Sequence, residues 1–535
     1  MGKIAAGASS ALVSLRVLGS SGIIRPYSPA KLVGLGTTLK RWGTGPAGGF
    51  TSLAVRAPDD IGLVDERGEL TWAELDRRTN ALARSLRERG VAEGDSVALM
   101  CRNHRGFVEA SVAVAKLGAD TLYLNTAFSG PQLSEVLERE DPQALVHDEE
   151  FSELLSDVEG VDRVLAWVDG DAGDTATVDG LIKAGSDQPL DPPGRSGRVV
   201  ILTSGTTGTP KGAPRKEAGI QAAVSMLSRM PLKRGWRTHI AAPLFHTWGY
   251  AHYMLAMLLG STIVLRRRFD PEDCLETVVE KRCDSIVVIP VMMQRILQLP
   301  EDTLKKYDLS HVKAVAASGS AMPGDLATAW MDRFGDTLYN IYGSTEVSWV
   351  SIADPTDLRA APDSAGQPPH ATIVKIVDED GKELPTGESG RIFVGNDLLF
   401  EGYTGGGHKE VIDGLMSTGD VGRFGDDGRL YVEGRDDDMI VSGGENVFPQ
   451  EVEDCLARHE AVVEAAAIGV DDDDFGKRLR AFVVLTSEGA TDEDTLREHV
   501  KSNLARYKVP RDFVFLDELP RNATGKVLKK DLDTD

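Results

Sequence analysis

Beyond about residue 60, apolar positions switch repeatedly between two spacings. Thr71 and Glu74 make a capping box, and Trp72, Leu75, Thr79, Leu82 and Leu86 then keep the spacing of an amphipathic helix. A short apolar run predicts a strand over 96–101, followed by a helix near 107–117 and a strand over 121–125. A helix near 132–139 and a strand over 144–147 continue the series. This rhythm builds a largely parallel sheet covered by helices. The most apolar stretch, 250–265, contains His252, Gly260, Ser261 and Thr262. It falls short of the roughly 20 apolar residues a membrane span needs. It predicts a buried helix, a stop at Gly260, and a strand over 262–265.

The texture changes after about residue 380. Gly381, Gly387, Gly414, Gly419, Gly425 and Gly428 punctuate short segments, which suggests antiparallel strands. Asp191-Pro192-Pro193-Gly194 reads as a surface linker, and the acidic run Asp471 to Asp474 as a solvated loop. Gly434-Arg435 marks a boundary. Beyond it, Pro449 opens a helix through Ala457, and strands over 465–470 and 480–485 and a helix over 495–503 follow. The expected class is α/β: a large N-terminal domain of helix-covered sheets with a small antiparallel part, and a hinged small α+β C-terminal domain. The expected division is a basic arm over 1–50, the main domain over 51–435 and a mobile domain over 436–535.

Charge narrows the functions. The 535 residues carry 59 Lys and Arg against 83 Asp and Glu, a net charge of −24. Such a surface repels nucleic-acid phosphates, so nucleic acid is excluded as a general partner. Cys101, Cys274, Cys283 and Cys455 lack metal-ligand spacing and suit a reducing, cytoplasmic setting. The first 58 residues reverse the sign, with Lys3, Arg16, Arg25, Lys31, Lys40, Arg41 and Arg56 and no acid. Arg16 interrupts the early apolar run and no clear cleavage site follows, so no signal peptide is expected. Ser28 caps a helix opened by Pro29, with Leu32, Leu35, Leu39 and Trp42 on one face. A peripheral membrane-surface helix is one reading of this arm. Docking on its own domain is the other, and a stripe at this spacing favours docking.

The strongest chemical signal follows the apolar strand over 199–202. Thr203, Ser204, Gly205, Thr206, Thr207, Gly208, Thr209, Pro210 and Lys211 form a turn dense in hydroxyls and glycine, ending on a lysine. Glycines let backbone approach a phosphate, hydroxyls donate to it, and the lysine adds charge. It is not a Walker A loop, because Gly212 stands where that motif needs Ser or Thr.

This loop resembles the phosphate loop of the adenylate-forming superfamily, which includes acyl-CoA synthetases, aryl-CoA ligases, adenylation domains and luciferases. Six further segments resemble that family in order: Pro243-Leu244-Phe245-His246, Ser318-Gly319-Ser320-Ala321-Met322-Pro323, Tyr342-Gly343-Ser344-Thr345-Glu346, Ser417-Thr418-Gly419-Asp420, 434–440, and Pro520 to Lys526. The resemblance covers about residues 50–535. It implies ATP, Mg2+ and CoA as cofactors and a small-molecule carboxylic acid as partner. By the same resemblance, Glu346 holds the metal, Thr345 donates to the α-phosphate, and Lys526 bridges carboxylate and phosphate. Ser318, Gly319, Ser320, Ala321, Asn340, Tyr342, Gly343, Asp420 and Arg435 join the phosphate loop in binding ATP or AMP. Asp437 becomes the hinge, and Gly443 and Gly444 line the CoA tunnel. His246 stands beside the carboxylate, where a packed core histidine is an equal reading. Leu202 departs from the tyrosine many relatives carry before the loop.

Substrate choice is read from Thr247, Trp248, Gly249, Tyr250, Met292, Met293 and residues 347–350, mostly apolar. Trp248 and Met292 are taken as acyl-pocket residues. No acidic partner for an amine is evident, so a medium- or long-chain fatty acid is expected, transferred to CoA. An aryl acid is the alternative, as is a fatty acyl-AMP ligase loading a carrier protein.

Overall fold

The computed structural model describes residues 2–43, 45–128, 130–156, 158–202, 212–215, 219–403, 408–436, 440–442, 445–447, 449–472, 476–504, 508–522 and 525–532. Two sheets dominate the described residues. The first orders its strands Ala176–Thr177, Asp162–Trp167, Ala144–Asp148, Ser96–Met100, Asp120–Tyr123, Val199–Leu202 and Gly212–Arg215. All neighbours are parallel except the last pair, which is antiparallel. The second orders Ser351–Ala353, Leu338–Tyr342, Ala314–Ala317, Ser285–Val288, Arg237–Ile240, Thr262–Val264, Ile61–Asp65 and Gly68–Thr71. Its inner strands are parallel, with Ala317 beside Asn340.

The expected helices lie over these sheets because their apolar faces have nowhere else to go. Trp72–Glu88 starts at the predicted capping box, with Thr71 and Glu74 bonded reciprocally. Arg105–Leu117 is buried almost throughout, and joins one core with Phe50, Trp72 and Tyr253. The apolar stretch becomes the helix Thr247–Leu259, ended by Gly260 in the left-handed conformation (φ +60°) before the strand Thr262–Val264.

The glycine-rich region is antiparallel as expected: Ile373–Val377, Gly390–Gly395, Leu415–Phe424 and Leu430–Arg435 pair in series. The smaller C-terminal domain has its own core around Val452, Leu456, Leu496 and Val500. Pro449–Ala457 and Glu493–Asn503 pack there, beside the hairpin Val462–Asp472 and Gly476–Leu485, with Asp512–Leu516 added parallel. One expectation is corrected here. Asp471 and Asp472 continue the strand, opposite Lys477 and Gly476, because the hairpin pairs through them.

The arm is three helices, Gly2–Ser20, Pro29–Trp42 and Pro46–Arg56, the first unforeseen and the last crossing the expected boundary at residue 50. It docks on its own domain. Val17 and Leu18 bury against Val224 and Leu227, and Ser10 Oγ meets His370 Nε2 at 3.1 Å. Arg56 Nη2 donates to the carbonyls of Met257 and Leu258 at 3.0 and 2.6 Å. Ser28 caps the second helix as expected. The expected stripe does not all face inward: Leu32 is 52% exposed, while Thr38 is the residue that this helix buries.

Candidate active site

The parallel strands of the second sheet end together, and the carboxyl ends of such strands are where open α/β sheets hold ligands. Arg237–Ile240 runs into 241–246 and the helix Thr247–Leu259, with His246 at its N-cap. The His246 ring lies 4.5 Å from that of Phe245, and its Nε2 is buried with no partner among the described residues. Burial pulls its pKa down to about 3, so the imidazole is neutral at working pH. Trp248 donates its indole N–H to the carbonyl of Val288 at 3.0 Å and meets the His252 ring edge-on at 4.1 Å. Met292 and Met293, buried on the helix Pro290–Leu297, follow directly from that strand end.

The neighbouring strand ends carry the other groups. Ser318 is buried after Ala314–Ala317, and exposed Gly319, Ser320 and Ala321 complete the turn. Gly319 has φ +103°, and a Cβ there would lie 3.2 Å from Ile289 Cγ2. Asn340 is buried between Ala317 and Ala353. A Cβ on Gly343 would sit 2.1 Å from the Ser348 carbonyl oxygen, so only glycine fits the turn. Glu346 accepts from Ser344 Oγ at 2.8 Å and from Tyr403 Oη at 2.9 Å. Thr247 Oγ1 donates to Thr345 Oγ1 at 3.3 Å, joining the His246 and Glu346 segments.

Asp420 comes from the antiparallel sheet, where it pairs with Arg435. Its carboxylate accepts from Tyr342 Oη, and from Arg435 Nη1 at 3.4 Å. Burial raises its pKa, and Arg435, the Tyr342 hydroxyl, Lys409 and Lys526 each pull it back. Lys526 is exposed, on a turn docked against the large domain. Gly525 has φ +78°, and a Cβ there would fall 2.4 Å from Val291 Cγ1. Arg521 closes the turn by donating to the Gly525 carbonyl at 2.5 Å, and Lys526 N donates to Asn522 Oδ1 at 3.0 Å. Gln294 Nε2 reaches the Val463 carbonyl at 3.3 Å beside it.

The structure therefore gathers His246, Trp248, Met292, Ser318, Gly319, Ser320, Ala321, Asn340, Tyr342, Gly343, Thr345 and Glu346 around one group of strand ends, with Asp420 and Arg435 brought to Tyr342 from the antiparallel sheet and the Lys526 turn docked on Ile289 and Val291. Thr203, Ser204, Gly205, Thr206, Thr207, Gly208 and Lys211 lie outside the described residues, as do Asp437, Gly443 and Gly444. The strands flanking the loop pair with Leu202 opposite Gly212. Tyr403 escaped the sequence reading. Nothing local marks a tyrosine so distant in sequence as a partner of Glu346.

Three kinds of relative match the chain. A model described as AMP-binding enzyme matches residues 50–404, and one described as AMP-binding enzyme C-terminal domain matches 451–526. A feruloyl-CoA synthase from Amycolatopsis sp is 35% identical over 468 residues, 86% of this chain and 92% of that protein. Among solved structures, the anthranilate CoA ligase AuaEII in complex with anthranoyl-AMP is similar with TM-score 0.82 and 25% identity, covering 91% and 96% of the two chains. The o-succinylbenzoate CoA synthetase from Bacillus subtilis, in complex with its acyl-adenylate, is similar with TM-score 0.79 and 28% identity, covering 91% and 98%.

Proposed function

This chain belongs to the AMP-binding enzyme family and is an acid–CoA ligase of the AMP-forming kind; from that premise we propose that its acid is aromatic. The carboxylate oxygen attacks the α-phosphorus of ATP, an acyl–AMP anhydride forms, and pyrophosphate leaves. The CoA thiol, losing its proton, then attacks the acyl carbon and AMP departs. Trp248 carries the aromatic reading. Its indole is pinned to Val288 and His252 on the acid side of the site, a flat face suited to stacking on a ring. The names of the three relatives support it, since ferulate, anthranilate and succinylbenzoate all bear a benzene ring. The expected medium- or long-chain fatty acid thus gives way to its aryl alternative.

In this reading Lys526 places an ammonium where negative charge gathers between carboxylate and phosphate. Asp420 accepts from the ribose hydroxyls, steadied by Tyr342 and Arg435. Ser318 to Ala321 and Asn340 line the adenine side, Thr345 donates to the α-phosphate, and residues 203–211 hold the outer phosphates. Glu346 has carboxylate lone pairs left beyond its two hydroxyl partners, which fits it to hold the magnesium that comes with ATP. When bound, that ion supplies charge neutralisation of the phosphate oxygens. Neutral His246 borders the carboxylate without repelling or protonating it. Rotation about Asp437 brings Gly443 and Gly444 to the site for the second step, with the division near 435 separating the moving parts.

The test is pyrophosphate release with ATP, magnesium and ferulate, cinnamate, benzoate, anthranilate, hexanoate, laurate or palmitate, each with and without CoA. We expect a ring acid to exceed every fatty acid in kcat/KM by about tenfold, the discrimination a few apolar contacts supply. A preference for laurate or palmitate overturns the aromatic reading. Adenylate without CoA turnover points to a carrier-protein acceptor.

We infer in addition that the arm touches anionic membrane surfaces. No helix among the described residues is long and apolar enough to cross a membrane. Yet Leu12 and Leu15 are 69% and 59% exposed beside Arg16, and Ile24, Leu32 and Val33 also face outward on an arm without acids. Apolar side chains set among cations suit an anionic bilayer. Sedimentation with phosphatidylglycerol vesicles, but not phosphatidylcholine vesicles, is expected, and its loss in Leu12→Ser/Leu15→Ser/Arg16→Glu. Equal sedimentation with both lipids, or none, overturns it.

A further inference from the structure

The first sheet has a crevice of its own, and the chain fills it. The strand Ser96–Met100 lies between Asp120–Tyr123 and Ala144–Asp148, so the chain's course along the sheet reverses there. Such a reversal leaves an opening at the carboxyl ends of the strands, the usual ligand position in open α/β sheets. Residues 101–106 occupy it, with Cys101, Asn103, His104 and Arg105 all buried.

The filling is tied down on both sides. Arg102 N donates to Asp148 Oδ2 at 2.9 Å. His104 Nδ1 accepts from Gly106 N at 3.0 Å, so its Nε2 carries the proton and donates to Asp148 Oδ1 at 2.8 Å. Arg105 N donates to Asp65 Oδ2 at 3.0 Å, and its guanidinium returns to the same carboxylate. Asp65 ends the strand Ile61–Asp65 of the second sheet, so this short loop joins the two sheets.

Asn103 makes the remaining link. Its Nδ2 donates to the carbonyls of Ile240 and Ala242 at 3.1 and 2.9 Å, and its Oδ1 accepts from Leu244 N at 2.8 Å. One buried amide thus spends both donor hydrogens and an acceptor on the backbone that leads into His246. The same stretch is held from its other side by the Val287 carbonyl, which accepts from Ala241 N and Ala242 N at 3.0 Å. Both donor hydrogens of Asn103 are committed to this backbone, and an unpaired amide at that depth would be unfavourable.

We infer that Asn103 is a positioning residue for the acid half of the reaction: from the first sheet it fixes residues 240–244, and through them His246 and the start of the helix that carries Trp248. Among the described residues, the ATP groups on the later strand ends make no hydrogen bond to it. This inference rests on the proposal that the His246 segment faces the acid.

The test compares wild type with Asn103→Ala, Asn103→Asp and His246→Ala, and with the Asn103→Ala/His246→Ala double variant, using the best acid of the panel. Asn103→Ala should raise KM for the acid about tenfold or more, the scale of losing a buried hydrogen-bond set, and leave KM for ATP within about twofold. Asn103→Asp keeps the acceptor for Leu244 but loses the donors, and should show the same split. Because both residues act through one segment, the double variant should lose no more than the worse single variant. Equal shifts in both KM values, or losses that multiply in the double variant, overturn the inference. The clamp is also read without turnover. Amide exchange at Leu244 should quicken in Asn103→Ala, while exchange at Ala314–Ala317 stays unchanged; an unaltered Leu244 rate overturns the clamp. If wild type activates no acid, the functional reading fails, and exchange at Leu244 still decides the clamp.

Discussion

In the proposed mechanism a single side chain, Lys526, divides the two half reactions. Its ammonium lies within electrostatic reach of Asp420 in this arrangement, and the thiol step needs no cation there. Lys526→Ala should slow adenylate formation by about a hundredfold or more, as removal of a charge-stabilising donor does elsewhere, yet spare thioester formation from supplied acyl adenylate. Pyrophosphate release and single-turnover thioester assays separate the steps; adenylation at the normal rate would remove Lys526 from the site. The buried histidines make a second prediction at this scale. Burial draws His239 and His252 down to about 4 and His246 to about 3, so all three stay neutral when folded. Unfolded, they take up protons as pH falls below about 6.5, and stability present above that value is lost toward pH 4. Each contributes about 1.4 kcal/mol per pH unit in that window. Burial lowers His147 in the same way, while Asp454, raised to about 6, and Asp420 and Glu109, raised chiefly by burial, act in the opposite sense. The melting temperature should therefore fall between pH 7 and 5, and His252→Phe should flatten the fall. A melting temperature that climbs over this interval would refute the argument.

Elements were legible where their pattern was self-contained. The capping box at Thr71, the Pro449–Ala457 helix and the Gly260 stop all depend on residues within one turn of each other, and the structure places them as read. Thr71→Ala removes a cap bonded both ways and should lower stability by about 1 kcal/mol, measured by denaturant unfolding. An unchanged midpoint would mean that tertiary packing alone holds that helix. Patterns failed where a distant partner decides the outcome. Leu32 belongs to a stripe that reads as inward-facing, but it is exposed on the second arm helix, while its neighbour Lys31 turns back and donates from Nζ to the Arg56 carbonyl at 3.1 Å. The strand through Asp471 and Asp472 depends on a hairpin partner, and acidic composition alone reads as loop. The candidate site was legible because glycine, hydroxyl and charged residues cluster in short motifs. Tyr403 and Asn103 were not, since each acts across a long sequence separation on a group that no local pattern names.

At the scale of the whole molecule, the proposed mechanism requires two incompatible placements of one small domain. In the arrangement described, Gly525 lies against Val291, Gln294 reaches the Val463 carbonyl, and Arg458 approaches Asp363 at 3.6 Å. The last two of these contacts are polar, the kind that lets domains part. They hold the Lys526 turn at the site, the placement that the proposed mechanism assigns to the first half reaction. Gly525→Val should weaken this placement specifically. Its side chain would drive into Val291, and φ +78° disfavours any Cβ there, while the core around Val452 and Leu496 is untouched. On the proposed mechanism Asp437→Pro should do the reverse, stiffening the connection taken there as the hinge for the CoA step. The expected result is a crossed pair. Gly525→Val loses tenfold or more in adenylation and little in thioester formation from supplied adenylate, and Asp437→Pro loses mainly the thioester step. Single-turnover kinetics of both steps on both variants decide the matter. If each variant slows the two steps equally, the small domain serves both from one position, and alternation of domains is not how this ligase divides its chemistry.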